Sequence, residues 1–198
     1  MKTFFTGTFL MLALFCRAQQ LKFTPLVYVE NGAVLKAGES IIYGSFLRKQ
    51  GFWYGGTLNY AIIRNADTNE LFSLELTAYL KAGKAANFCF YIKPGTYDIM
   101  FYIYEKGKWY GGLVTRTPVY KNVDYNDNIK AKLDSGLLKK EDLHRFKFTV
   151  NPGLTYLGRW NFDVGTVTFC DDKIALDKKM PADFYFLEFD KAATIIPD

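Results

Sequence analysis

The sequence predicts an all-β fold, an antiparallel β-sandwich, on three observations. Aromatic and β-branched residues recur with period two along most of the chain, as in SIIYGSFL at 40–47, TLNYAIIR at 57–64 and TYDIMFYIY at 96–104. Gly, Pro, Asn and Asp interrupt these runs at turn spacing, which yields about nine strands, a number that favours facing sheets over one open sheet. Helical periodicity is hard to find, and one short helix is expected in a polar excursion. That excursion also leaves open a division near 120–145 into two small sub-sandwiches.

The chain opens MKTFFTGTFLMLALFCRAQQ, a charged start, an apolar run from Phe4 to Phe15 and small residues at Cys16 and Ala18. This is the pattern of a signal peptide of residues 1–18, cleaved before Gln19, with residues 19–198 as the exported domain. The apolar run is shorter than the ~20 residues a membrane-spanning helix needs, so no transmembrane segment is expected in the mature chain. Lipidation at Cys16 is the third alternative, and bulky Phe15 before the cysteine argues against it. The predicted location is periplasmic or extracellular.

The expected strands are 26–30, 40–47, 57–64, 70–80, 87–93, 96–105, 109–119, 146–150 and 160–169. FCFYIKPGTYDIMFYIY, 88–104, reads as a hairpin in which Pro94 presets φ and Gly95 takes the positive φ of the turn. On that reading Tyr97, Ile99, Phe101 and Ile103 share a face with Phe88, Phe90 and Ile92 at the centre of the core. A second hairpin is expected over 61–76, around Asn65, Asp67, Thr68 and Asn69. The stretch 121–142 is polar, with Leu133, Leu137, Leu138 and Leu143 as its regular apolar positions, and its short helix is expected to be capped by Asp134 or Ser135. The tail from Asp171 reads as a helix over DDKIALDKK followed by a strand over DFYFLEF.

Loss of Lys2 and Arg17 with the signal peptide lowers the net charge from +5 to +3, and the remaining charges are interspersed. No nucleic-acid partner is implied. Cys89 and Cys170 survive processing, and an exported protein can keep a disulfide between them. Alternation places Cys89 on the strand face opposite Phe88 and Phe90, and spacing alone leaves the pairing open.

The inventory for catalysis is thin. His144 is the sole histidine and sits in the charged stretch EDLHRF. There is no HExxH, no GxSxG and no paired cysteine spacing, so no catalytic residue, metal or cofactor is assigned. DYNDN at 124–128 begins like a calcium loop, but Ile129 stands where the turn glycine belongs and Ser135 where the bidentate Glu belongs. A carboxylate pair assembled only by the fold would leave no sequence spacing, which keeps a secreted hydrolase as the least favoured alternative.

A repeat is the most suggestive feature: FWYGG at 52–56 and KWYGG at 108–112. Flat rings beside glycines that permit close approach suit stacking against a sugar. Trp53, Tyr54, Trp109 and Tyr110 are therefore the candidate ligand-binding residues, with Trp160 as a third tryptophan. The competing reading is a duplicated hairpin whose aromatics pack on each other, since large aromatics are mostly buried.

AGESIIYGSF at 37–46, NFCFYIKPGTYDIMFY at 87–102 and FKFTVNPGLTYLGRW at 146–160 together resemble uncharacterised secreted bacterial β-sandwich proteins of prealbumin-like or carboxypeptidase-regulatory-like type. The resemblance implies a fold and an exported setting, and carries over no catalytic residue. The resulting expectation is a non-catalytic binding or adhesion module of the cell envelope, taking an envelope glycan through exposed aromatics. The alternative is a structural domain that docks an envelope protein.

Overall fold

The computed structural model describes residues 22–32, 35, 38–47, 57–76, 85–106, 112–124, 129–162 and 166–198. The period-two runs form β1 (Thr24–Pro25), β2 (Ser40–Leu47), β3 (Thr57–Asn65), β4 (Leu71–Glu75), β5 (Ala86–Ile92), β6 (Gly95–Lys106) and β7 (Leu113–Pro118). After the excursion come β8 (Lys147–Val150), β9 (Gly153–Asn161), β10 (Thr168–Cys170) and β11 (Ala193–Thr194). They build two facing sheets. The first runs β1-β4-β3-β6-β7 with β8 also on β6, and the second runs β10-β9-β2-β5 with β11 also on β9. Strands before and after the excursion join both sheets, and one apolar core lies between them.

The 61–76 hairpin forms as expected, with Asn65 as its keystone. Its side-chain oxygen accepts the Asp67 and Thr68 amides at 2.9 and 3.0 Å, and Asn69 takes a left-handed φ of 59°, the local bonding that suits Asn to turns. The 88–104 stretch is different. β5 pairs with β2 and β6 pairs with β3, so Lys93-Pro94-Gly95 is a corner between sheets and not a hairpin turn. Gly95 does take positive φ, at 150°, and the Tyr97 hydroxyl donates to the Lys93 carbonyl at 2.7 Å to brace the corner. Turn chemistry specifies a reversal of direction, whereas which sheet receives the next strand depends on partners distant in sequence.

Parity along β6 also departs from simple alternation. The pairing slips between Ile62 and Ile63, which face Phe101 and Ile99, so Met100 is an extra residue in β6. A bulge of this kind flips every later side chain. Tyr97 and Ile99 face the core before the bulge, and Tyr102 with Tyr104 after it. Phe101, expected at the core centre, instead lies outside it, with the Arg145 guanidinium 5.8 Å above its ring.

β2 pairs antiparallel with β5 but parallel with β9, so the second sheet is mixed. β9 carries its own irregularity: Tyr43 faces Tyr156, while Ser45 faces Arg159. The extra residue lies beside Gly158, whose φ is 83°. A Cβ on Gly44 would stand 2.5 Å from the Gly158 carbonyl oxygen and 2.6 Å from the Phe88 ring, so both can approach β2 there because Gly44 lacks a side chain. The shift turns Tyr156 outward and Leu157, Trp160 and Phe162 into the inter-sheet core.

The second sheet is buried on both faces. Ile41, Tyr43, Cys89 and Tyr156 on its outer face are covered by Val29, Leu176, Met180, Phe184 and Phe189. This explains why SIIYGSF is buried without a break, as expected where both faces meet apolar layers. The cover comes mainly from the tail, where DDKIALDKK supplies helix α2 (Lys173–Asp177; the excursion's helix, α1, is Ile129–Asp134). The expected strand over DFYFLEF does not form. Its aromatics sit in turns and a short 3-10 segment, because they fill a layer and have no sheet edge to join. The expected strand 160–169 likewise resolves into the end of β9 and the short β10. Asp134 and Ser135 stand at the C-terminal end of α1, so neither caps its start.

Two extended segments close the sandwich at opposite ends of the strand order. Residues 24–29 run from β4 to β5: Leu26 donates to the Ser73 carbonyl at 2.9 Å, and Val29 donates to Cys89 at 3.0 Å. Residues 193–198 run from β9 to β8: Ile195 donates to Tyr156 at 2.9 Å, and Asp198 exchanges two backbone bonds with Lys147. Both straps satisfy edge groups that would otherwise be free to pair with another chain.

Candidate functional site

Trp53, Tyr54, Trp109 and Tyr110 lie outside the described residues, as do residues 125–128 of DYNDN. Trp160 is described, and it is a core residue with no exposed surface. Its ring meets Phe88 and Phe169 edge to face at 5.4 Å each, and its indole N–H donates to the Leu157 carbonyl at 3.0 Å. The β9 shift turns it inward, so it presents no ring to a ligand.

The cysteine pairing that the sequence left open does not form. Cys89 faces Tyr43 on β2, Cys170 faces Arg159 on β9, and both thiols are free. Two strands separate β5 from β10, a gap of ~14 Å at the usual strand spacing, about twice the Cα reach of a disulfide. Burial pushes the Cys89 thiol up, which keeps it a neutral core group. His144 is exposed. Among the described residues no group of three His, Cys, Asp or Glu side chains is placed to hold a metal, and no helix is long and apolar enough to cross a membrane.

The structure instead forms a groove beneath the first strap. It is lined by Thr24, Pro25, Leu26 and Val27 of the strap, Phe72 of β4, Glu39 and Ser40 at the start of β2, and Tyr91, Ile92 and Lys93 at the end of β5; its volume is about 240 Å³. The strap is positioned by backbone bonds to both sheets, among them the Tyr91 amide to the Val27 carbonyl at 2.9 Å. Ser40 is spent internally, donating to the Asn151 carbonyl at 2.9 Å. Lys93 is exposed, and among the described residues its ammonium has no hydrogen-bond or ion-pair partner. Burial, followed by the charges of Glu39 and its neighbours, pushes the Tyr91 phenol above its ordinary value, so it stays a neutral hydroxyl able to donate.

The strap carries an aromatic rim beside this groove. Tyr28 is 48% exposed, meets Phe90 edge-on at 5.5 Å and lies 5.8 Å from Phe184. Phe184 leads to Phe186 at 6.3 Å, and Phe186 to Tyr185, which is 72% exposed. Exposed rings clustered on one surface are the kind of feature that marks a binding site. The sequence signals were LVYVE and DFYFLEF. Both read as strands, whereas their rings meet only because the first segment crosses between sheets and the second folds back over one.

The chain matches no protein-family model, no curated protein and no solved structure.

Proposed function

We propose that the protein is an exported, non-catalytic binding module that holds an envelope glycan along the first strap. The observation that supports this reading is the pair of exposed tyrosines, Tyr28 and Tyr185, joined through Phe184 and Phe186 beside the Val27–Tyr91 groove. Tyrosine offers a flat apolar face for sugar C–H groups and a hydroxyl for their oxygens. The signal-peptide pattern at residues 1–18 supports the exported setting.

A glycan array tests the reading. Binding should fall with Tyr28→Ala and with Tyr185→Ala while circular dichroism stays unchanged; undiminished binding in both variants removes the rim from consideration. Trp53→Ala and Trp109→Ala in the same assay test the WYGG repeat as a second stacking surface. The alternative, an envelope protein as partner, is favoured by the exposed aliphatic side chains Val27 and Ile174. It requires a stoichiometric partner in pull-downs from envelope extracts that is lost with Val27→Asp.

A further inference from the structure

We propose that the groove is a subsite for a sugar residue bearing both an acylamino group and a carboxylate, with the acyl group against the apolar walls and the carboxylate at Lys93. The proposal rests on the glycan reading above and names the sugar class it would select.

Size is the first argument. A volume of about 240 Å³ equals that of roughly eight waters, so the groove takes about one sugar residue with its substituents and not a chain. Lining chemistry is the second. Leu26, Val27, Phe72 and Ile92 present hydrocarbon, and a sugar hydroxyl pressed against them would lose its water without gaining a partner. An acyl methyl has no such requirement and removes apolar surface from water. Charge is the third. Lys93 lines the groove, is exposed, and its ammonium has no hydrogen-bond or ion-pair partner among the described residues, so it is available to a ligand anion. Glu39 lies across from Lys93, one step beyond the Ser40–Ile92 pair, and directs an anion toward Lys93.

Four monosaccharides separate the two features: glucose has neither, N-acetylglucosamine only the acylamino group, glucuronic acid only the carboxylate, and N-acetylmuramic acid both. Titration of the mature protein, followed by saturation-transfer NMR, should rank N-acetylmuramic acid first, with about fivefold weaker binding for either single-feature sugar, the scale of one exposed ion pair or one buried methyl. Lys93→Gln should erase the advantage of the carboxylate and leave N-acetylglucosamine unchanged, and Val27→Asp should weaken every acyl-bearing sugar. Equal binding of all four, or indifference to Lys93→Gln, overturns the subsite. If the four sugars fail but array glycans still bind in a Tyr28-dependent way, the subsite falls and the glycan reading stands; if both fail, both fall.

Discussion

The two apolar clusters flanking the second sheet are held by different physics. Between the sheets, Trp160, Phe88, Phe90 and Phe148 pack ring against ring, and the Trp160 indole bonds within its own strand. On the outer face the tail is clamped as well as packed. Tyr43 donates to Asp177 at 2.8 Å and Tyr156 to Asp172 at 2.7 Å, while Lys173 bonds Asp177 and the Phe189 carbonyl. Adjacent residues of one sheet, Tyr43 and Tyr156, thus grip the two ends of α2. The inner cluster gains stability from area, which is non-directional. The outer one also fixes the register of a segment with few strand bonds, because hydrogen bonds are directional.

The largest expected effect follows from emptying the inner cluster. Trp160→Ala should cost about 3–5 kcal/mol in urea unfolding, and a loss below 1 kcal/mol would show that the inner cluster does not dominate. Next, Gly44→Ala forces a methyl against the Gly158 carbonyl and should cost about 1–3 kcal/mol, with hydrogen exchange increasing along both β2 and β9. Tyr43→Phe keeps the ring and removes one bond to a carboxylate, so a cost of about 1.5–3 kcal/mol is expected. Protection in that variant should fall over 172–189 and hold over β3 and β6; a uniform fall would mean the two clusters unfold together.

Alkali tests the two tyrosine clamps on the outer face. Burial, then hydrogen bonds to Asp177 and Asp172, raise the phenols of Tyr43 and Tyr156. A raised folded value means their contribution is complete below the unfolded tyrosine value of about 10 and is lost as pH climbs above it. The urea midpoint should therefore drop beyond about pH 10, and more shallowly in Tyr43→Phe. Lys121→Gln, which removes only the exposed pair with Asp198, should leave the midpoint unmoved.

Much of the strand content was legible because alternation is local: β2, β3, β5 and β6 fall within two residues of their expected bounds. The Asn65 turn and the positive φ of Gly95 were legible for the same reason, each being a demand of a few adjacent residues. The partner of each strand was not. Pro94-Gly95 looks alike in a hairpin and in a corner, and the single-residue shifts at Met100 and beside Gly158 reversed the facing of Phe101 and Trp160. The candidate groove was hidden too, since Leu26, Phe72 and Lys93 are spread over three segments with no common motif.

By itself the sequence determined that this chain forms strands, where they turn and that they bury an aromatic interior, because φ preferences and period-two patterning act between near neighbours. Tertiary structure alone decided which sheet each strand entered, that the tail would cover one sheet's outer face, and that a strap would line a groove beside Tyr28. Those outcomes depend on pairing and packing between residues far apart in the chain, whose relative energies no local pattern records.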